Sequence, residues 1–202
     1  MATMRSVVLK APIDGLPQPD DFAIVERAIP ALEDQQFLIE HHIASVDPGV
    51  RSRLHATGAS YAPPIPPGST MDGFMVGMVT ESRNDRFPVG TWLAGSGGWT
   101  THSVSNGRGY VLPIVDNGLS RSLWLGVLGI PGMTSWFGMK RVGEFREGAH
   151  VLISSAAGVV GATAGQLARA WGAASVTGIA GGREKCDWLV ETCGFDAAID
   201  YK

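Results

Sequence analysis

A short apolar run, Val151-Leu152-Ile153, is followed after Ser154 by Ser155-Ala156-Ala157-Gly158-Val159-Val160-Gly161. No other part of the chain narrows the choice of fold as far. The apolar run is bounded by Glu147-Gly148 and reads as a buried strand. After the turn, Val160, Ala164, Leu167, Ala168 and Trp171 recur at the spacing of one helical face, and Gly172 stands where a C-terminal cap is expected. A second strand follows at 175–180. Strand, glycine turn, helix and strand over His150 to Lys202 open a dinucleotide-binding unit.

The reason lies in the backbone. Gly158 has no Cβ, so the turn can approach a pyrophosphate closely, and Gly161 lets the helix pack tightly on the strand. N–H groups at the helix start then face the phosphates, together with the positive end of the helix dipole. Ala156 takes the place of the first glycine of the usual pattern. The alternative is a tight helix–sheet contact with no ligand.

An NAD-binding unit carries an acid about 20 residues further on, at the end of its second strand, to hold the ribose 2′-hydroxyl. Here the strand ends Gly178-Ile179-Ala180-Gly181-Gly182, and Arg183 and Lys185 follow. An acid would repel a 2′-phosphate, whereas cations would receive it. The pattern favours NADP over NAD; the plainer reading of these cations is a solvated helix start.

At 202 residues the chain holds one large or two small domains, each with a core. A net charge of −3 gives no electrostatic case for nucleic acid or an anionic membrane. No apolar run has the length of a membrane span, residues 1–12 lack a signal-peptide core, and the expected location is the cytoplasm. The two cysteines, Cys186 and Cys193, lie on an expected helix from Glu184 to Cys193. On one helical face they would be about 10 Å apart along the axis, too far for a disulfide or one metal. The five histidines form no spaced ligand set with acids, so no zinc site is expected.

The first part of the chain reads as β-rich. Strands are expected at 6–10, 22–28, 36–46, 74–80, 91–95 and 99–104, separated by Pro- and Gly-rich turns. Many short strands of this kind point to a partly closed barrel or sandwich. Residues 56–69 read as an irregular loop carrying Tyr61. From Ser120 the period becomes helical: a short helix capped by Ser120 or Ser122, an interruption at Pro131-Gly132, then a second helix from Thr134 to Arg141. Such a connecting segment often lines a ligand cleft.

Several of these segments together resemble one family: Asp47-Pro48, Arg51-Ser52-Arg53, Trp99 to Ser103, Leu128-Gly129-Ile130-Pro131-Gly132-Met133-Thr134, Ser154 to Gly165, Gly178 to Cys186 and Gly194 to Lys202. It is the zinc-independent medium-chain dehydrogenase/reductase family, in its prostaglandin/leukotriene, alkenal and curcumin double-bond reductase branch. The resemblance implies an α/β fold with a β-rich part: a GroES-like, partly open β-barrel over 1–120, connecting helices over 121–145, and a Rossmann NADP-binding domain over 146–202. Relatives continue beyond a third strand, so only the first half of the doubly wound sheet is expected here, in a truncated form that binds NADPH poorly.

The resemblance further implies NADPH (NADP) as hydride donor and a small enone or enal as substrate. It implies a homodimer in the full-length parent, with no nucleic acid or membrane partner. By position, Ala157, Gly158, Val159, Val160 and Gly161 would meet the pyrophosphate, and Gly182, Lys185 and Tyr201 the 2′-phosphate side. Ile130 and Thr134 would contact the nicotinamide carboxamide, and Tyr61 is the candidate catalytic donor. Reduction of a conjugated C=C bond places growing negative charge on the carbonyl oxygen, which a hydrogen-bond donor stabilises without a metal. Gly49 stands where many relatives have tyrosine, which widens the pocket. Two other readings stay open, a zinc-free quinone reductase and a non-catalytic nucleotide-binding remnant.

Overall fold

The computed structural model describes residues 2–56 and 62–202. Two compact units divide the chain, Met1–Ser122 and Leu123–Lys202.

The first unit is built on an antiparallel five-stranded sheet. In chain order its first elements are β1 (Thr3–Leu9), β2 (Phe22–Ala28) and β3 (Phe37–Ala44). Then come β4 (Phe74–Ser82), β5 (Trp92–Ser96), β6 (His102–Ser105) and β7 (Val111–Pro113). The sheet order is β6-β3-β4-β5-β7, while β1 and β2 form a separate antiparallel pair. Backbone bonds tie β1 into the unit: Val7 N–H donates to Trp99 O, Met71 N–H to Val7 O, and Thr101 N–H to Arg5 O. This wrapping is the barrel-like closure that frequent short strands require when exposed edges are costly.

Alternation decides which residues are buried. Phe37 and Ile39 of β3, Met75 and Val79 of β4 and Leu93 of β5 converge with Phe87, whose ring stacks on Phe37 at 4.6 Å. A second cluster joins Leu9, Ile13, Leu54, Ile65 and Met71, with Phe22 and Trp99 against it. Burying each such side chain stabilises the fold by about 1.5–3 kcal/mol. His41, on the Phe37–Ile39 side of β3, shares a 2.8 Å hydrogen bond with Ser103 through Nε2. Its Nδ1 is buried without a partner among the described residues, and burial lowers its pKa from 6.5 to about 4.

The second unit begins with α1 (Ile130–Phe137), continued by a π-helical turn at Gly138–Val142. Next come β8 (His150–Ile153), α2 (Val159–Ala170), β9 (Ser175–Ala180), α3 (Arg183–Glu191) and β10 (Ala197–Asp200). The three strands form a parallel sheet in the order β10-β9-β8. Ala156, Ala162, Ala168, Val176, Ala180, Leu189 and Phe195 make its core.

Four local readings change. Pro131 does not interrupt a helix; it lies in the first turn of α1, where its missing N–H costs nothing. The hydroxyls of Ser120 and Ser122 bond to each other at 2.8 Å rather than capping a helix. The buried side of α2 is made of small residues such as Gly161, Ala164, Gly165 and Ala168, while Val160 is exposed, because close packing admits little side-chain volume. β8 is also covered on one face only: Val151 and Ile153 pack on the core, but Leu152 is 62% exposed.

Candidate functional site

The turn after β8 is shaped by its own backbone. Ser155 adopts φ +49°, and Ala156, fully buried, donates its N–H to Ile179 O at 3.0 Å. Gly158 N–H donates to Ser155 O at 3.0 Å, which closes the loop and starts α2 with Gly158 as N-cap. No side chain caps this helix. The N–H groups of Val159, Val160 and Gly161 have no hydrogen bond among the described residues, and both valines are exposed. A helix start left bare in this way is an anion site in waiting.

The two glycines do different work. A Cβ at Gly161 would stand 2.6 Å from Ser155 O and 2.8 Å from Ala156 Cα, so the helix could not sit so near the turn. A Cβ at Gly158 would meet only Ser155 O, at 3.3 Å, and otherwise open space. Gly161 is demanded by folding. Gly158 leaves room for something outside the chain.

At the far end of β9, Gly181, Gly182 and Tyr201 come together. Tyr201 lies so close to Gly181 that a Cβ there would be 2.8 Å from its hydroxyl oxygen, and Tyr201 is 67% exposed. Gly182 caps α3 at φ +96° and donates its N–H to Asp200 Oδ1 at 2.8 Å. Lys202 N–H donates to the same oxygen at 3.0 Å. These two amides, Gly182 first, hold the Asp200 carboxyl below the usual carboxylate range. Lys185 lies exposed in the first turn of α3 and forms no ion pair among the described residues, whereas Arg183 reaches Asp187 at 3.5 Å.

Ile130 and Thr134 lie on α1, and the Thr134 hydroxyl donates to Ile130 O at 2.8 Å. The residue that ties this helix to the glycine turn is one that sequence reading passed over. Ser135 is 2% exposed, and its hydroxyl lies 2.8 Å from both Pro131 O and Val160 O. Only its place beside Thr134 could have pointed to it. Gly132 serves a different close approach, to the segment before α1: a Cβ there would fall 1.7 Å from Val127 O. Tyr61 lies outside the described residues.

In the first unit, a cavity of about 450 Å³ is lined by Asp47, Arg53, Thr70, Asp72, Phe74 and Ser96, among others. Arg53 pairs with Asp72 and donates from Nε to Pro63 O at 2.8 Å. Among the described residues no group of three His, Cys, Asp or Glu side chains could hold a metal, and no helix is long and apolar enough to cross a membrane.

Comparisons with known proteins agree with this architecture. A family model described as the N-terminal domain of oxidoreductase matches residues 5–112. The chain is 36% identical over 197 residues to the NADPH-dependent curcumin reductase of Escherichia coli (strain K12), covering 98% of this chain and 56% of that protein. It is 39% identical over 204 residues to prostaglandin reductase 1 of Bos taurus, covering 100% of this chain and 59% of that protein. The crystal structure of CurA in complex with NADPH from Vibrio vulnificus matches with a TM-score of 0.87 at 35% identity, over 98% of this chain and 58% of that one. The chain thus spans 56% to 59% of the length of these relatives. With the family model reaching across more than half of its residues, the chain belongs to the medium-chain dehydrogenase/reductase family of oxidoreductases.

Proposed function

We propose that this chain carries the cofactor-binding and ligand-binding parts of an NADPH-dependent oxidoreductase that reduces the C=C bond of α,β-unsaturated aldehydes and ketones. The observation that carries the reading is the bare start of α2: three amides without partners among the described residues, behind an exposed turn where Gly158 meets little but open space. When bound, NADPH supplies hydride to the carbon β to the carbonyl. Ala157 and Gly158 give the diphosphate close approach to the turn, and Val159, Val160 and Gly161 bind it through their backbone N–H groups and the helix dipole. Lys185 and Tyr201 receive the 2′-phosphate beside Gly182: Lys185 forms no ion pair among the described residues, β9 ends in Ala180 without an acid, and the nearby Asp200 carboxylate is engaged by the Gly182 and Lys202 N–H groups. Ile130 and Thr134 orient the carboxamide end, on a helix that Ser135 fixes to Val160. Tyr61 is the proposed donor to the carbonyl oxygen as charge develops there. The unit Met1–Ser122 is the proposed substrate part.

The test is a calorimetric titration of this chain with NADPH and with NADH. The expected result is binding of NADPH at least about tenfold tighter than NADH, because a charge-assisted phosphate contact distinguishes them. Equal affinity, or tighter NADH, overturns the assignment.

A further inference from the structure

The 450 Å³ cavity adjoins an apolar alcove of about 310 Å³ lined by Phe22, Leu54 and Trp99, among others, and Asp47, Val50 and Met71 belong to both. Asp47 is therefore the acid on the wall common to the two volumes. Its position is fixed. Ser45 Oγ donates to Asp47 Oδ2 at 2.5 Å, and Phe74 N–H donates to Ser45 Oγ at 3.0 Å. Ser45 N–H donates to Phe74 O at 2.8 Å, and Trp99 Nε1 donates to Ser45 O at 2.9 Å. The other carboxylate oxygen, Oδ1, has no hydrogen bond among the described residues.

The charges around it are unequal in effect. Arg53 is neutralised by Asp72 and held by Pro63 O, so the larger cavity keeps one uncompensated negative charge, that of Asp47. Arg51 lines the alcove but is exposed, and an exposed cation contributes little. A half-buried, pre-positioned carboxylate accepting a hydroxyl proton makes one of the stronger neutral-ligand contacts. We propose that Asp47 is a specificity-determining residue, selecting a neutral ligand whose aryl-sized apolar body fills the alcove and whose hydroxyl donates to the free oxygen of Asp47, and rejecting anionic ligands of the same shape. The enone character of that ligand rests on the reductase reading; the hydroxyl preference does not.

Three probes of one shape test this by calorimetry on the full chain: 4-phenylbut-3-en-2-one, its para-hydroxy derivative and its para-carboxylate. The expected order is hydroxy tighter than unsubstituted, and hydroxy at least about tenfold tighter than carboxylate. Asp47→Asn narrows that ratio to under about threefold, and Asp72→Asn, which frees Arg53, narrows it by strengthening the carboxylate. Arg51→Gln leaves it within about twofold. Equal affinities in the unmodified chain, a carboxylate preference, or no hydroxy-probe binding at millimolar concentration each overturn the proposal, with no variant required to fold. NADPH binding without probe selectivity sinks this proposal alone. Probe selectivity without NADPH binding sinks the reductase reading alone.

Discussion

At the glycine turn the groups offered to a ligand in the proposed reading are backbone amides, and the sequence acts mainly by keeping side chains out of the way. At Asp47 it is a side-chain carboxylate, held by the hydroxyl of nearby Ser45, which is itself fixed by the Phe74 backbone N–H at the start of β4 and by the Trp99 indole before β6. The first kind of site tolerates any residue that leaves its space empty and fails abruptly when that space is filled. The second degrades one contact at a time. Substitution should therefore give steep, all-or-none losses in the second unit and graded ones in the first.

The largest effect should come from Gly161→Val, which drives side-chain atoms into Ser155 O and the Ala156 backbone. Loss of cooperative melting of the second unit is expected, with stability down by about 3 kcal/mol or more; a fold melting as before would break the contrast. In the first unit, acid should act gradually through His41. Its folded pKa of about 4 lies below the ordinary 6.5, so the unfolded chain takes up a proton that the folded one refuses. Stability contributed by its neutral form is fully present above pH 6.5 and is lost as pH falls towards about 4, by up to about 3 kcal/mol. Urea melts across that range check it, and His41→Gln should flatten the slope.

Gly158→Asp should fold normally, because its φ of −83° suits any residue, yet weaken NADPH binding by about 100-fold through charge and bulk at the phosphates. Lys185→Ala should cost about tenfold in NADPH affinity and leave NADH unchanged. The smallest expected change is Ser135→Ala. It removes one shared hydroxyl contact and should lower stability by about 1 kcal/mol, with a modest loss of cofactor affinity. A loss larger than that of Gly158→Asp would mean that helix position, not the bare amides, dominates binding.

The contrast also explains how much of the molecule was legible. β2 over Phe22–Ala28 and β9 over Ser175–Ala180 match their expected limits, because alternation and flanking turns mark both ends. The glycine turn was legible too, because a turn that must leave out side chains writes itself as glycine spacing. The short β7 at Val111–Pro113 was missed, since it pairs only with β5 and is too brief to alternate. Pro131 was misread because its effect depends on whether it opens a helix or falls inside one. Ser45, Asp47 and Ser135 carry no local pattern; their roles arise only when strands or helices far apart in sequence meet.

The uncapped start of α2 has a thermodynamic corollary. Three amides left without acceptors are a standing debt of solvation that an aspartate or serine cap would ordinarily settle, so at Gly158 melting temperature and phosphate affinity pull in opposite directions. Selecting this protein for heat resistance alone would therefore drift it towards a capped helix, and towards a Rossmann unit that no longer holds a nucleotide.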